Sequence, residues 1–217
     1  LDRIADEMCT SIFWNAGQNC SSNSRLIVHR SLHDDLLDRI LRRAGEWVVG
    51  DPLDPATRIG AVIEPEHLAK ILDNIEAARE EGATLLTGGH RILEESGGWF
   101  VEPTVFDGVT AEMRVASEEV FGPVLAVTSF DHPEDGIALA NRTEYGLAAS
   151  VFTSDVRTAH LAARRIRAGT VTVNCYGEGD ASTPFGGLKL SGFGGRDKSL
   201  WAHEQYTELK TIWLDLT

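Results

Sequence analysis

One cysteine, Cys20, lies where a catalytic nucleophile is expected. It follows Phe13–Asn19, a run that leaves an amphipathic helical pattern and passes through Gly17, and the polar residues 21–23 come after it. A reactive thiol needs access, nearby backbone donors and surroundings that favour the thiolate. A glycine lets the turn close tightly and leaves amide groups free to bind an oxyanion. Most free cysteines are small buried hydrophobes, so both interpretations stay open at this point.

The other candidate thiols and metal ligands are predicted to be structural. Cys9 lies within the amphipathic helical pattern, and Cys175 closes a predicted strand. Three cysteines without a Cys-x-x-Cys pair indicate neither a disulfide framework nor a cysteine zinc site, and they favour a reducing compartment. His29 and His33 flank a predicted strand-to-helix junction without further ligands, so no metal site is predicted.

A pair of carboxylates, Glu118 and Glu119, precedes a predicted buried strand and leads into Val120-Phe121-Gly122-Pro123. Such pairs usually belong to solvated loops. A glutamate can instead accept hydrogen bonds from ribose hydroxyls, as acidic residues do in dinucleotide sites. Phe121, two positions later, could then pack against a flat ring.

A third stretch is rich in glycine. Seven glycines lie between Gly177 and Gly195, and within it Pro184–Gly192 places Phe185 between a proline and two glycines. The stretch fits neither the dinucleotide fingerprint nor the phosphate-loop pattern. Its glycines permit close backbone approach, which alone is a weak functional signal.

Helical and strand patterns alternate along most of the chain and must position these residues. Helices are predicted at 1–12, 31–47, 65–82, 133–141 and 155–169, and strands at 25–28, 83–86, 100–105, 124–130, 149–153 and 170–174. The alternation predicts an α/β fold in which a largely parallel sheet is flanked by helices. Residues 208–216 alternate as one further strand, which is predicted to pair away from the main core.

The composition excludes several classes of protein. With 217 residues, 42% hydrophobic and 24% charged, the chain is of ordinary globular type and large enough for one core. Its net charge of −13 argues against nucleic-acid binding, which cations drive. No apolar run approaches the ~18–20 residues of a membrane span. The chain opens within a helical pattern, without a targeting segment, so a trimmed or partial chain and a cytoplasmic location are expected.

Taken in this order, the motifs resemble the aldehyde dehydrogenase superfamily. Phe13–Cys20 resembles its cysteine active-site motif, and Glu119–Val124 resembles its cofactor-contacting segment. Towards the end of the chain, a resemblance to the family's substrate-pocket and crossing segments is carried by Asn174, Pro184–Gly187 and Ser191-Gly192. The resemblance covers essentially all 217 residues.

The resemblance implies a mechanism and a set of site residues. Cys20 is expected to attack the aldehyde carbon, giving a thiohemiacetal and, after hydride transfer to NAD or NADP, a thioester. Its backbone amide is expected to form part of the oxyanion hole. Glu119 is expected to hold the nicotinamide ribose and Phe121 to pack near the nicotinamide. Trp14 and Phe185 are expected to shape the pocket for a small-molecule aldehyde.

The resemblance also divides the chain. Residues 1–195 correspond to the catalytic domain, and residues 196–217 to a crossing segment and a strand that joins a partner subunit in a dimer or tetramer. The family's dinucleotide-binding domain, its Glu-Leu-Gly-Gly-Lys general base and its oxyanion-hole asparagine have no counterpart in these residues. The chain alone is therefore expected to be inactive. NAD and NADP remain alternatives because that domain reads the adenosine ribose.

The closing segments, Gly195–Leu200 and Glu208–Trp213, are similar to the branch that acts on gamma-glutamyl-gamma-aminobutyraldehyde and other aminoaldehydes. Two other functions remain alternatives. The chain could be a non-catalytic interaction module that kept the fold. It could also be a cofactor-independent cysteine hydrolase, which needs a histidine partner that no sequence feature places near Cys20.

Overall fold

The chain contains six α-helices and eight strands in a computed structural model that describes all of residues 1–217. The helices are α1 (Asp2–Phe13), α2 (His33–Ala44), α3 (Pro65–Glu80), α4 (Arg114–Ser117), α5 (Pro133–Asn141) and α6 (Val156–Arg165). The strands are β1 (Arg25–His29), β2 (Thr84–Thr87), β3 (Arg91–Ile92), β4 (Phe100–Val101), β5 (Thr104–Asp107), β6 (Val124–Phe130), β7 (Ala148–Val151) and β8 (Thr170–Val173).

The main sheet has four strands in the order β1-β6-β5-β2. β1 and β5 run parallel to the central strand β6, and β2 runs antiparallel to β5. β7 and β8 form a separate parallel pair, and β3 and β4 form a short antiparallel one. The predicted α/β fold with a largely parallel sheet is confirmed.

Two hydrophobic cores lie on the two faces of this sheet. Leu125 and Val127 of β6 belong to the core formed with α1 and α2, whereas Val124 and Ala126 belong to the core formed with α3. Successive side chains of a strand point to opposite faces, so an uninterrupted apolar strand serves both cores. This packing fixes α1 and α3 on opposite sides of one sheet. α1 leads towards Cys20, and α3 contacts the loop of Glu119 and Phe121.

The helix ends follow ordinary capping chemistry. α3 begins with Pro65 at its first position, where the absent N–H costs nothing. The Asp155 carboxylate accepts hydrogen bonds from the Arg157 and Thr158 amides at the start of α6. None of the helices is both long and apolar enough to cross a membrane.

Most predicted elements are confirmed, with shifts at their ends. β6 and α5 have the predicted bounds, 124–130 and 133–141. The predicted strand 100–105 is instead divided by Pro103, whose nitrogen has no hydrogen to donate to a sheet. α6 ends before Ile166, which has a ψ of 125°, rather than at the predicted position 169.

Residues 207–217 form no helix or strand in the single chain. The alternating pattern predicted a strand over 208–216, but a strand exists only through hydrogen bonds to a neighbour, and this segment has none beside it. Its large side chains are exposed, among them Leu209 and Trp213. The domain division at residue 195 and the pairing of this segment with a partner subunit stay predictions.

Candidate active site

α1 leads into a left-handed turn just ahead of Cys20. Asn15 and Ala16 have φ angles of 54° and 56°, and Gly17 has 71°. The Asn15 side chain donates to the Gln18 carbonyl at 2.9 Å, and the Gln18 amide donates back to the Asn15 carbonyl at 3.0 Å. A left-handed residue other than glycine costs roughly 1–2 kcal/mol. The turn therefore persists only because its surroundings hold it.

The turn lies directly against the second motif. A side-chain carbon at Gly17 would collide with the Gly122 carbonyl group and with the nitrogen of Pro123. Gly122 in turn packs on the side chain of Ile71 in α3. The structure thus brings the Cys20 turn and the loop of Glu119 into backbone contact, although they are far apart in sequence.

The first turns of α3 anchor the loop that carries Glu119 and Phe121. The His67 Nε2–H donates to the Phe121 carbonyl at 2.7 Å, and the two rings meet edge to face with centroids 6.0 Å apart. The Lys70 ammonium donates to the Glu119 carbonyl at 2.8 Å. Phe121 is half-buried with a φ of 57°, and the Glu119 side chain is exposed. The backbone is fixed while the carboxylate faces solvent.

The residues on either side of Cys20 are fixed by the segment after β8. The Asn19 amide donates to the Ser21 hydroxyl at 2.9 Å and to the Tyr176 hydroxyl at 3.0 Å. Ser21, only 2% exposed, donates to the Glu178 Oε1 at 2.9 Å. Cys20 itself is exposed. An accessible thiol is therefore held between two anchored neighbours.

The three thiols differ in exposure, and one prediction is wrong. Cys9 is buried with its sulfur 3.7 Å from the Ile40 carbonyl, and burial, followed by the charge of Asp6, raises its pKa to about 12. Cys175 was expected to be structural but is exposed, as is Val173 at the end of β8. Access alone therefore does not separate Cys20 from Cys175.

Trp14 and Phe185 lie in different surroundings. Trp14 begins the turn that leads to Cys20, and it is 55% exposed. Phe185 is half-buried and forms a two-way backbone bridge with Asp197, and the Lys198 ammonium lies 5.3 Å from its ring centroid. The structure gives no direct contact between the two aromatic residues, so a shared pocket stays a prediction.

The glycine-rich segment around Phe185 is fixed to the end of α5. The Lys189 ammonium donates to the carbonyls of Asn141 and Thr143 at 3.1 and 3.0 Å. Burial, followed by the charges of nearby arginines, lowers the pKa of this lysine. A side-chain carbon at Gly169 would collide with the Gly186 carbonyl. The glycines here serve close backbone packing.

The two histidines without a predicted metal role have other partners. His33 donates to the carboxylates of Asp34 and Asp107 at 2.7 and 2.9 Å, and these two bonds raise its pKa. The His29 ring lies 2.9 Å from the Ser31 hydroxyl and 3.0 Å from the Asp131 carbonyl. No group of three or more histidine, cysteine or carboxylate side chains is arranged to hold a metal ion.

Comparison with known proteins decides the family. The sequence model of the Aldehyde dehydrogenase family matches residues 1–212. The chain belongs to this family. It is 56% identical over 215 residues to a protein named aminoacetaldehyde dehydrogenase from Pseudomonas aeruginosa, a match that covers 99% of this chain and 42% of that protein.

Solved aldehyde dehydrogenase structures have the same fold. An indole-3-acetaldehyde dehydrogenase complexed with NAD+ is 49% identical with a TM-score of 0.96, over 99% of this chain and 43% of that one. Gamma-glutamyl-gamma-aminobutyraldehyde dehydrogenase from Burkholderia cenocepacia J2315 is 50% identical with a TM-score of 0.92, over 96% and 42%. The chain thus spans less than half the length of the relatives it matches.

Five residues around the candidate site escaped sequence reasoning. Their side chains hold the motif residues in place through hydrogen bonds or an ion pair: His67, Lys70, Tyr176, Glu178 and Lys198. All but Lys198 lie on elements distant in sequence from the motif they contact. The only local signal was a histidine and a lysine three positions apart on α3, a spacing that any amphipathic helix offers.

Proposed function

We propose that this aldehyde dehydrogenase chain carries the nucleophile and the nicotinamide side of the cofactor site of an NAD(P)-dependent enzyme that oxidises an aldehyde to a carboxylic acid. The contact between Gly17 and Gly122 carries the proposal, because it sets the turn of Cys20 beside the loop of Glu119. The chemistry needs a nucleophile and a hydride acceptor next to each other, and this contact supports that arrangement.

Cys20 would act as the nucleophile. Its thiolate adds to the aldehyde carbon, so that a C–S bond forms and the carbonyl electron pair moves to oxygen, giving the oxyanion of a thiohemiacetal. The Cys20 backbone amide donates to that oxyanion, a contribution worth about 10²–10³ in rate for one donor. The exposure of Cys20 between two anchored neighbours supports this role.

The loop of Glu119 and Phe121 suits the nicotinamide half of the cofactor. An exposed carboxylate on a fixed backbone can accept hydrogen bonds from ribose hydroxyls, and the half-buried Phe121 ring offers a flat apolar surface. When bound, the nicotinamide supplies the hydride acceptor that converts the thiohemiacetal to a thioester. The 217 residues contain no dinucleotide fingerprint for the pyrophosphate, and they are compatible with both NAD and NADP.

The substrate class we propose is an aminoaldehyde. Relatives named aminoacetaldehyde dehydrogenase and gamma-glutamyl-gamma-aminobutyraldehyde dehydrogenase, at 56% and 50% identity, support this choice. A net charge of −13 favours the approach of a cationic aldehyde. Trp14 and Phe185 would shape the route to Cys20, the first from the nucleophile turn and the second from the segment that Lys189 fixes.

We further propose that residues 196–217 leave the catalytic domain and complete a homo-oligomer. This segment has exposed apolar side chains and backbone groups without strand partners, which are the features that favour edge-to-edge strand pairing. A strand from a partner subunit would satisfy both. The dimer and the tetramer fit this proposal equally.

The test compares two exposed cysteines in the full-length protein that contains this chain. NADH or NADPH formation from aminoacetaldehyde is measured for Cys20→Ala and for the matched control Cys175→Ala. We expect oxidation to fall to background in Cys20→Ala, because the proposed thiohemiacetal forms on the Cys20 thiol, and to persist in Cys175→Ala. Full activity in Cys20→Ala would overturn the proposal.

The 217 residues alone are expected to give no measurable oxidation. They contain no identified general base for thioester hydrolysis, a role worth about 10²–10⁴ in rate, and only the nicotinamide side of a cofactor site. The same NADH assay on the purified chain checks this expectation. Steady turnover at an enzymatic rate, lost in Cys20→Ala, would contradict it.

A further inference from the structure

An ion pair beside Ser21 has no part in the function proposed above. The Glu178 carboxylate accepts the Ser21 hydroxyl on one oxygen at 2.9 Å and meets the Lys198 ammonium on the other at 3.1 Å. The two charged side chains are 31% and 34% exposed, so both are partly withdrawn from water. Ser21 is the residue after Cys20, and its side chain is buried.

We propose that Glu178 and Lys198 are positioning residues for Cys20: the carboxylate fixes the nucleophile turn through Ser21, and the two charges together set the electrostatic potential at the thiol. The inference rests on the proposed role of Cys20 as the nucleophile. It gives the segment after Phe185 a part in the chemistry, besides any part in a pocket or in oligomerisation.

The backbone around Lys198 supports a fixed rather than casual contact. Lys198 and Ser199 have φ angles of 62° and 54°, a strained conformation for residues other than glycine that persists only where neighbours hold it. The bridge between Phe185 and Asp197 holds the preceding residue, with backbone hydrogen bonds of 2.8 and 2.7 Å. The Lys198 ammonium also lies 5.3 Å from the Phe185 ring centroid.

Three other charged side chains lie near this ion pair. From α1, Glu7 accepts the Tyr176 amide at 3.2 Å, and Arg3 lies 3.8 Å from Glu7. From the segment itself, the pKa of Asp180 is lowered first by hydrogen bonds from Ser182 and to a smaller extent by the charge of Lys198. Acidic groups therefore outnumber cations here, and Lys198 is the cation that balances Glu178.

The distance to the thiol makes these charges measurable. Ser21 is bonded to Cys20, so the Glu178 oxygen lies within about 12 Å of the Cys20 sulfur by bond lengths alone. A unit charge at such a distance changes the local concentration of a charged reagent about two- to fivefold at low ionic strength. The effect weakens as the Debye length falls below about 10 Å at higher salt.

The experiment measures the ratio of two alkylation rates at Cys20, with iodoacetate as the anionic reagent and iodoacetamide as the neutral one. The ratio cancels changes in exposure and in the thiolate fraction, which affect both reagents alike, and reports the potential at the sulfur. The full 217-residue chain is used, and peptide mapping separates Cys20 from Cys175. The buried Cys9 stays unlabelled in every folded variant.

Opposite changes are expected from the two halves of the pair. Glu178→Gln should raise the iodoacetate-to-iodoacetamide ratio about two- to fivefold, because Lys198 is left unbalanced, and Lys198→Gln should lower it by a similar factor. The control Asp131→Asn removes a carboxylate that pairs with Arg30. Because Arg30 follows the end of β1 that is distant from Ser21, this variant should leave the ratio unchanged.

The fixing of the turn is tested by Ser21→Ala. Loss of the Ser21 hydroxyl should speed hydrogen exchange of the amides at 19–22 and leave the sign of the charge effects intact. Equal ratios in wild type, Glu178→Gln and Lys198→Gln would overturn the inference, as would a change in the same direction in both variants. A Cys20→Ala enzyme that still oxidises aldehydes would instead remove the function on which the inference rests, so the two failures are distinguishable.

Discussion

The part of the chain up to β6 and the part after it are packed in different ways. Of the buried hydrophobic residues, only Ile137 and Ala162 lie beyond Val127. The first part has two cores, one on each face of the four-stranded sheet. The second has a two-stranded sheet with half-buried positions, one helix against it and a long exposed tail.

The difference separates the groups proposed to act on the aldehyde and the cofactor from the groups proposed to shape the pocket or to position the nucleophile. Cys20 and Glu119 follow elements that are packed into the two cores, whereas Phe185 and Lys198 belong to the second part, which has few buried hydrophobic residues. Reacting groups must keep their geometry, and a packed core supplies that. The second part holds its position through local hydrogen bonds, such as the one from Lys189 to Asn141, and it leaves surface available for other chains.

The largest expected effect compares one phenylalanine from each part. Phe106 of β5 is fully buried, so Phe106→Ala should lower the free energy of unfolding by about 3–5 kcal/mol through lost burial and a cavity. Phe193 is fully exposed in the single chain, and Phe193→Ala should change that free energy by less than about 0.5 kcal/mol. Urea unfolding of both variants measures the contrast. Comparable losses would show that the second part is packed as firmly as the first.

The next effect concerns the close approach of the two motifs. Gly17→Ala should lower the free energy of unfolding by about 2–3 kcal/mol or more, because the residue has a positive φ and its side chain would meet the Gly122 backbone. Gly82 also has a positive φ but faces open space, so Gly82→Ala should cost only about 1 kcal/mol. Urea midpoints of the pair isolate the collision. Equal costs would mean that the contact is not maintained in solution.

A smaller effect depends on pH. The bonds to Asp34 and then Asp107 raise the pKa of His33, so its contribution is fully present below the unfolded value of about 6.5 and is lost as pH rises through the folded value. The stability difference between wild type and His33→Gln should therefore shrink on going from acid to alkaline pH, by about 1 kcal/mol at most. Urea unfolding at several pH values measures it. A stability difference that stays constant across this pH range would contradict the expectation.

The smallest expected effect is the free energy of local opening of the tail, residues 207–217. Amides of Ile212–Leu214 have no strand partner in the single chain and should exchange with deuterium at nearly the unprotected rate in a dilute monomer. Amides of β6, at the centre of the main sheet, should be protected in the same sample. Strong protection of the tail without self-association would contradict the proposed pairing with a partner subunit.

Sequence patterns were reliable where a local rule was enough. The apolar run of β6, the Pro65 start of α3 and the Asp155 cap of α6 each follow from neighbouring residues. β3 and α4 were missed because two and four residues carry no readable periodicity. The tail strand was predicted from alternation, yet a strand also needs a neighbour that no single segment encodes.

The sequence by itself determined the α/β fold and, through the order of its motifs, the family, and it predicted Cys20 as the candidate nucleophile. Local periodicity and short motifs hold that information because they depend on residues a few positions apart. Only the tertiary structure decided that Cys175 is exposed, that Gly17 touches Gly122, and that Glu178, paired with Lys198, reaches Ser21 beside Cys20. These are contacts between elements distant in the chain, and the packing of the whole fold sets their distances.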